Sequence, residues 1–202
     1  MAHPYRGIFT IPATPYTDDG QVDWEGLRSV VEFCVGCGAH GLVWPVNASG
    51  FGTLSDDERL QGFDVVTRQA AGRAPVVLGV QGLSADHAAM FSRRAREVGA
   101  DAVIAMAPYV TKMHDPEGLL AYFRAVAQAA QLPLIIQNHS VGSEMSAALL
   151  ARIVREIPGA DYIKEETLPV THMITALMEA GLPNLKGVFG GSGGRYMLLE
   201  YP

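Results

Sequence analysis

The feature that most constrains this chain is an alternation of short β-branched or apolar runs with longer stretches of helical period. Parallel strands produce that alternation, because each needs a crossover returning the chain to the same end of the sheet, and a helix is the compact way to build one. Seven runs read as strands: Gly7–Thr14, Gly41–Pro45, Pro75–Val80, Ala102–Ala107, Leu134–Asn138, Tyr162–Glu165 and Gly187–Phe189. Between them, Leu119, Tyr122, Phe123, Val126 and Ala130 fall on one helical stripe, as do Leu149, Leu150, Ile153, Val154 and Ile157, so both segments should lay one face on a sheet. Ser55 and Glu58 have capping-box spacing and mark a helix start. Gly99, Gly181 and the Leu-Pro pairs at 132–133 and 182–183 mark stops.

Repeated β/α units can close as a barrel or lie open as a doubly wound sheet. A dinucleotide-binding sheet would place G-x-G-x-x-G at the first strand-to-helix turn, where Thr14-Pro15-Tyr16 stands instead. The fold read from the sequence is therefore α/β, a TIM (β/α)8 barrel forming one domain over residues 1–202. Such barrels typically take ~250 residues, and only the segment Arg195–Glu200 follows the seventh strand, so the eighth β/α unit is expected to be missing. Unpaired edges on strands one and seven, and exposed apolar helix-facing surface, should make the isolated chain poorly soluble or dependent on partner subunits.

Composition excludes several partners. The formal net charge is −6 and the pI about 5.4, which leaves no basic field for nucleic acid or an anionic membrane surface. The N-terminus lacks a signal-peptide apolar core, and no apolar run approaches the ~20 residues of a membrane span, so a cytoplasmic protein is expected. Cys34 and Cys37 form a C-x-x-C, yet they continue the helical pattern Trp24, Leu27, Val30, Val31, Cys34, and no second Cys pair follows; they read as packing thiols. His114 and His139 stand alone without metal-ligand spacing, so no metal is expected. Met173 and Met178 read as core.

In a (β/α) barrel the chemistry gathers at the C-terminal ends of the strands. Those ends hold Thr14-Pro15, Asn47-Ala48-Ser49-Gly50, Pro108-Tyr109, Gln137-Asn138-His139, Lys164 and Gly190-Gly191-Ser192-Gly193. Alternation sends Tyr162, Lys164 and Glu166 to one side of strand six, and Ile163 and Glu165 to the other. A lysine on an interior strand needs an explanation. A partly desolvated amine can retain a neutral fraction and attack a carbonyl to form an imine; alternatively the lysine forms an ion pair with a neighbouring carboxylate at the rim. Both readings stand on the residues alone. The glycine turn at 190–193 offers backbone amides to a carboxylate or phosphate, or is a flexible loop. Asn47–Gly50 offers amides and a hydroxyl.

Thr14-Pro15, the run from Thr53-Leu54-Ser55 to Glu58, Ala107-Pro108-Tyr109, Leu132-Pro133 leading to Asn138, and Tyr162-Ile163-Lys164-Glu165 together resemble the dihydrodipicolinate synthase and N-acetylneuraminate lyase family of class I aldolases and dehydratases. The likeness runs from Gly7 to about Glu200. It implies that Lys164 condenses with the keto carbon of pyruvate or a longer 2-oxo acid, and that the resulting enamine adds to an aldehyde, releases one, or expels a hydroxyl as water. It implies no cofactor, and a homo-oligomer, either dimer or tetramer. The family's carboxylate-binding loop usually reads close to Gly-Thr-Thr-Gly-Glu; here Asn47-Ala48-Ser49-Gly50-Phe51 stands there, one residue shorter before Thr53. Substrate contacts are expected at Thr14, Ala48, Ser49, Gly50, Asn138, Gly190 and Gly191.

Two positions depart from the family. Its proton-relaying tyrosine on strand five aligns with Gln137, whose amide does not titrate near neutral pH, and Val110 replaces a tyrosine next to Tyr109. The lysine-biosynthetic reaction is disfavoured accordingly. The expectation is a variant aldolase or dehydratase for pyruvate or a sugar-derived 2-oxo acid, with Lys164, Gln137 and Tyr109 at the catalytic positions and water, Ser49 or Tyr109 as substitute proton carriers. The alternative is a non-catalytic family member that binds a ligand or partner, motivated by Gln137, Val110 and the expected lack of the last strand. A phosphate-binding barrel isomerase rests on the glycine turn alone and lacks a Glu or His constellation.

Overall fold

The computed structural model describes residues 5–200. Seven strands form one parallel sheet in sequential order: β1 (Phe9–Thr10), β2 (Gly41–Trp44), β3 (Val76–Gly79), β4 (Ala102–Met106), β5 (Leu134–Asn138), β6 (Ala160–Glu165) and β7 (Gly187–Gly190). Helices α1 (Trp24–Gly36), α2 (Asp56–Ala70), α3 (Ala85–Glu97), α4 (Pro116–Ala130), α5 (Ala147–Glu156) and α6 (Val170–Glu179) make the crossovers, and a short α7 (Met197–Glu200) follows β7. Among the described residues this is the wall of a (β/α) barrel, seven parallel strands with helices outside them. The first strand is shorter than the sequence suggests, covering two residues rather than Gly7–Thr14. Pro12 and Pro15 have no N–H to donate, so the ladder stops before them.

Five of the helices open on a residue whose side chain accepts a first-turn amide: Asp23, Ser55, Ser84, Asp115 and Ser146. The Ser55–Glu58 capping box is present in both directions, with Ser55 N donating to Glu58 Oε2 at 2.7 Å. These caps satisfy amides that have no acceptor inside the helix, and they fix where each loop over the barrel mouth ends.

The sheet separates two apolar regions. Outward-facing Leu42, Leu78, Val103, Ile136 and Ile163 pack against the helices, where Phe63, Phe91 and Phe123 are fully buried. Inward-facing Val43, Val77, Ile104, Ile135 and Tyr162 pack on one another with Tyr5, Phe9 and Phe189, so the sheet curls around its own interior face. Burial on both faces explains why β2 to β4, and β5 as far as Ile136, read as unbroken apolar runs. Gly62 in α2 is required by packing, since a Cβ there would overlap the Trp44 ring.

The β5–β6 ladder carries an irregularity that matters for the site. Leu134 pairs with Ala160, yet the next residue, Ile135, pairs with Tyr162. Asp161 is therefore an extra residue, a bulge, and it switches the facing of β6: Ala160 lies with the outer core, Tyr162 with the inner. Everything beyond the bulge keeps the inward phase at even numbers.

The thiols of Cys34 and Cys37 are unpaired in the structure. Among the described residues no helix is long and apolar enough to cross a membrane.

Candidate active site

Because Met106 pairs with Gln137, Gln137 with Lys164, and Lys164 with Phe189, these four residues form one inward-facing row near the C-terminal end of the sheet. Below them lies the apolar layer of Ile104, Ile135 and Tyr162, which closes the barrel floor to water. Lys164 is thus held at the boundary between a dry interior and the mouth, with its side chain 13% exposed.

The ammonium has a partner that sequence reading did not assign a role. Lys164 Nζ lies 3.1 Å from Glu166 Oε2, and the Glu166 side chain is itself only 8% exposed. Gln137 Nε2 donates to the same oxygen at 2.6 Å, and Ser192 N donates to Oε1 at 3.1 Å. Burial by itself pushes the Glu166 carboxyl up, but the Lys164 charge and the Gln137 and Ser192 donors outweigh it and hold the group below the usual carboxylate range. The ion-pair reading of Lys164 is therefore realised, and the pair lies inside the barrel rather than on a solvated rim. A signal for Glu166 was present in the alternation that places it on the Lys164 face. Alternation alone gives it no role, because nothing in the sequence shows that Gln137 would reach it.

The glycine turn does hold a carboxylate, and it is the protein's own: the Ser192 amide is used by Glu166, and a Cβ on Gly191 would overlap the Glu166 side chain. Gly190 ends β7 and is exposed.

A second cluster ties strand one to the turn after strand two. The Thr14 hydroxyl donates to Ser49 O at 2.6 Å and accepts from Trp44 Nε1 at 3.0 Å. Ser49 is buried, Ala48 exposed, and Gly50 takes a left-handed φ of 73° that reverses the chain. The 3-10 turn Asn47–Ser49 leaves its first amides without an internal acceptor, as the start of any helix does. Tyr109 stands edge-on to Phe51, with ring centroids 5.0 Å apart. Burial pushes its phenol up, with the Arg59 charge opposing.

Asn138, expected among the substrate contacts, turns the other way. Its side chain is fully buried on the outer face of the sheet, where Nδ2 donates to Met145 O and to both Glu165 oxygens, and Oδ1 accepts from Met145 N. The residue next to an inward-facing Gln137 must face outward, and that places Asn138 away from the mouth.

Among the described residues no group of three or more His, Cys, Asp or Glu side chains is arranged to hold a metal ion.

Fold and site define a class: parallel (β/α) barrels that present a lysine amine on strand six, facing the interior beside a carboxylate. The model of the dihydrodipicolinate synthetase family matches residues 4–191, and the chain belongs to that family. It is 32% identical over 93% of its length to L-2-keto-3-deoxyarabonate dehydratase of Azospirillum brasilense, covering 62% of that protein. It is 35% identical over 80% of its length to 4-hydroxy-tetrahydrodipicolinate synthase of Methylococcus capsulatus, covering 56% of it. Dihydrodipicolinate synthase of Aquifex aeolicus superposes with a TM-score of 0.86 at 28% identity, over 93% of this chain and 63% of that one. The chain thus spans roughly six-tenths of the length of these relatives.

Proposed function

We propose that this chain carries the Schiff-base site of a lyase, a dehydratase acting on a 2-keto-3-deoxy sugar acid, in which Glu166 moves the protons. The observation that carries this reading is the Glu166 carboxylate, 3.1 Å from Lys164 Nζ and held by Gln137, the residue that stands where the family has its tyrosine. A proton carrier is needed near the imine, and Gln137 cannot be one.

The chemistry follows from the distances. Glu166 takes a proton from the Lys164 ammonium, and the neutral amine adds to the C2 carbonyl carbon of the oxo acid. A proton passes from the added nitrogen to the C2 oxygen, and Glu166 returns its own proton to the hydroxyl so formed, which leaves as water, and a protonated imine remains. The carboxylate then removes a proton from C3, the electron pair moves toward the imine nitrogen, and the enamine expels the C4 hydroxyl, which leaves as a second water with that proton. Hydrolysis of the imine frees the product and Lys164. A carboxyl held low and hydrogen-bonded from both sides is suited to begin as base and to act as acid only after it has taken a proton. The substrate carboxylate fits the Thr14–Ser49 side, where the amides of Asn47 and Ala48 open the 3-10 turn. The similarity to a 2-keto-3-deoxy acid dehydratase supports the substrate class, and the loss of both family tyrosines at Gln137 and Val110 argues against dihydrodipicolinate synthesis.

Borohydride reduction in the presence of pyruvate or a 2-keto-3-deoxy sugar acid, followed by peptide mass analysis, tests the proposal. An adduct on Lys164 is expected. A folded sample with no adduct would overturn it and favour a ligand-binding role without catalysis.

A further inference from the structure

Next to Glu166 lies a second buried carboxylate that the proposed reaction does not use. Glu165 is fully buried on the outer face of β6, and no lysine, arginine or histidine forms an ion pair with it among the described residues. Every hydrogen bond to it is a donor pointing inward: Asn138 Nδ2 reaches its two oxygens at 3.2 and 3.0 Å, and Thr167 N reaches Oε1 at 2.7 Å. Asn138 in turn is locked to Met145 through both ends of its amide, and its backbone carbonyl accepts from Glu166 N at 2.9 Å.

The amides on both sides of the Glu166 side chain are therefore fixed by one cluster. Its own N–H is bound to Asn138 O, and the following N–H, of Thr167, is bound to the Glu165 carboxylate. β6 ends at Glu165, and the Glu166 N–H to Asn138 O bond is the last of the β5–β6 ladder, so strand pairing fixes Glu166 no further than its own amide. Burying a carboxylate without a cation is costly. Burial pushes this one up, with the Asn138 and Thr167 donors opposing. Such a cost calls for an explanation beyond packing.

We propose that Glu165, with Asn138, is a positioning residue for Glu166: it holds the turn after strand six so that the Glu166 carboxylate meets Lys164, Gln137 and Ser192. This rests on the reading of Glu166 as the proton carrier. It assigns Glu165 to the proton transfers that Glu166 makes; the amount of Lys164 adduct reached at equilibrium depends on the amine and not on how fast those protons move. A glutamine at 165 keeps the volume but puts an N–H₂ where Oε2 accepts from Asn138 Nδ2, so that bond is lost and two donors are set against each other beside Thr167 N.

The test separates the two halves using pyruvate alone. Imine formation is read as the end-point yield of borohydride trapping on Lys164, and proton transfer as the rate of exchange of the pyruvate C3 hydrogens in deuterated water. Glu165→Gln should trap pyruvate within about threefold of the parent chain while C3 exchange slows by tenfold or more, within the ~10²–10⁴-fold range of general acid–base catalysis. Asn138→Ala provides a second variant with the same expected signature. In a Glu166→Gln background, Glu165→Gln should cause no further slowing, because residues acting through one group are not additive. Exchange within twofold of the parent for Glu165→Gln, or a full additional loss in the double variant, overturns the proposal. If the parent chain itself traps no pyruvate, the lyase reading fails; the clamp is then judged by amide hydrogen exchange at Thr167, which should quicken at least tenfold in Glu165→Gln and would overturn the clamp if unchanged.

Discussion

The wall of the barrel from β2 to β5 and the seam between β7 and β1 are made from the same kind of unit, yet they are not buried alike. Every residue of β2, β3, β4 and β5 is buried, whereas β1 is two half-buried residues and β7 grades from half-buried to exposed. In the wall each strand has a hydrogen-bonded neighbour on both sides and helices behind it. At the seam, among the described residues, β1 pairs only with β2 and β7 only with β6. Inside, the gap is bridged by rings rather than backbone: Phe9 and Phe189 stand 5.3 Å apart, and Tyr5 meets Tyr162 at 5.2 Å. Leu198 and Leu199, just after β7, are 87% and 72% exposed. Strand burial here is a property of neighbours rather than of the strand's own residues.

The site straddles the two regions. Lys164 and Gln137 stand on strands paired on both sides, while the third donor to Glu166, Ser192 N, comes from the seam. The strongest test of this division removes the amine. Lys164→Ala should abolish the borohydride adduct entirely, measured by mass, and an adduct elsewhere would move the site. Next, Glu166→Gln should keep the adduct but slow C3 exchange by roughly 10²–10⁴-fold, and an unchanged exchange rate would return the proton step to water, Ser49 or Tyr109.

Stability should divide the same way. Ile136→Ala, fully buried in the wall, should cost about 2–5 kcal/mol in urea unfolding, and Val188→Ala in β7 about 1 kcal/mol or less. Equal costs would show that the seam is as well supported as the wall. The smallest effect expected concerns pH. Gln137 donates to Glu166 and favours its ionised form, so Gln137→Met should raise the Glu166 pKa and move the acid limb of the C3-exchange profile to higher pH. The same sign governs folding: a carboxyl lowered in the folded state adds stability that is present above its unfolded pKa and is lost as pH falls through the folded one. A limb unmoved in the variant would deny Gln137 that part.

Much of the fold was legible in the residues. The strand cores, the capped helix starts and the shared face of Tyr162, Lys164 and Glu166 follow from hydrophobic period, cap chemistry and alternation, which act over a few neighbouring positions. The shortened first strand is legible too, in Pro12 and Pro15, whose missing N–H groups limit the ladder. Asn138 illustrates the limit differently: its position at a strand end marked it as a candidate, while its facing placed it behind the sheet.

What sequence alone determined was the unit, a strand followed by a helix, and the motif that puts a lysine near the end of the sixth strand. Tertiary structure decided which of two adjacent glutamates meets that lysine. The Asp161 bulge sets the phase of β6 against β5 and points Lys164 into the barrel, and three donors from β5, β6 and the seam converge on Glu166. Register between strands and the meeting of distant donors depend on long-range pairing, and no local pattern of residues encodes either one.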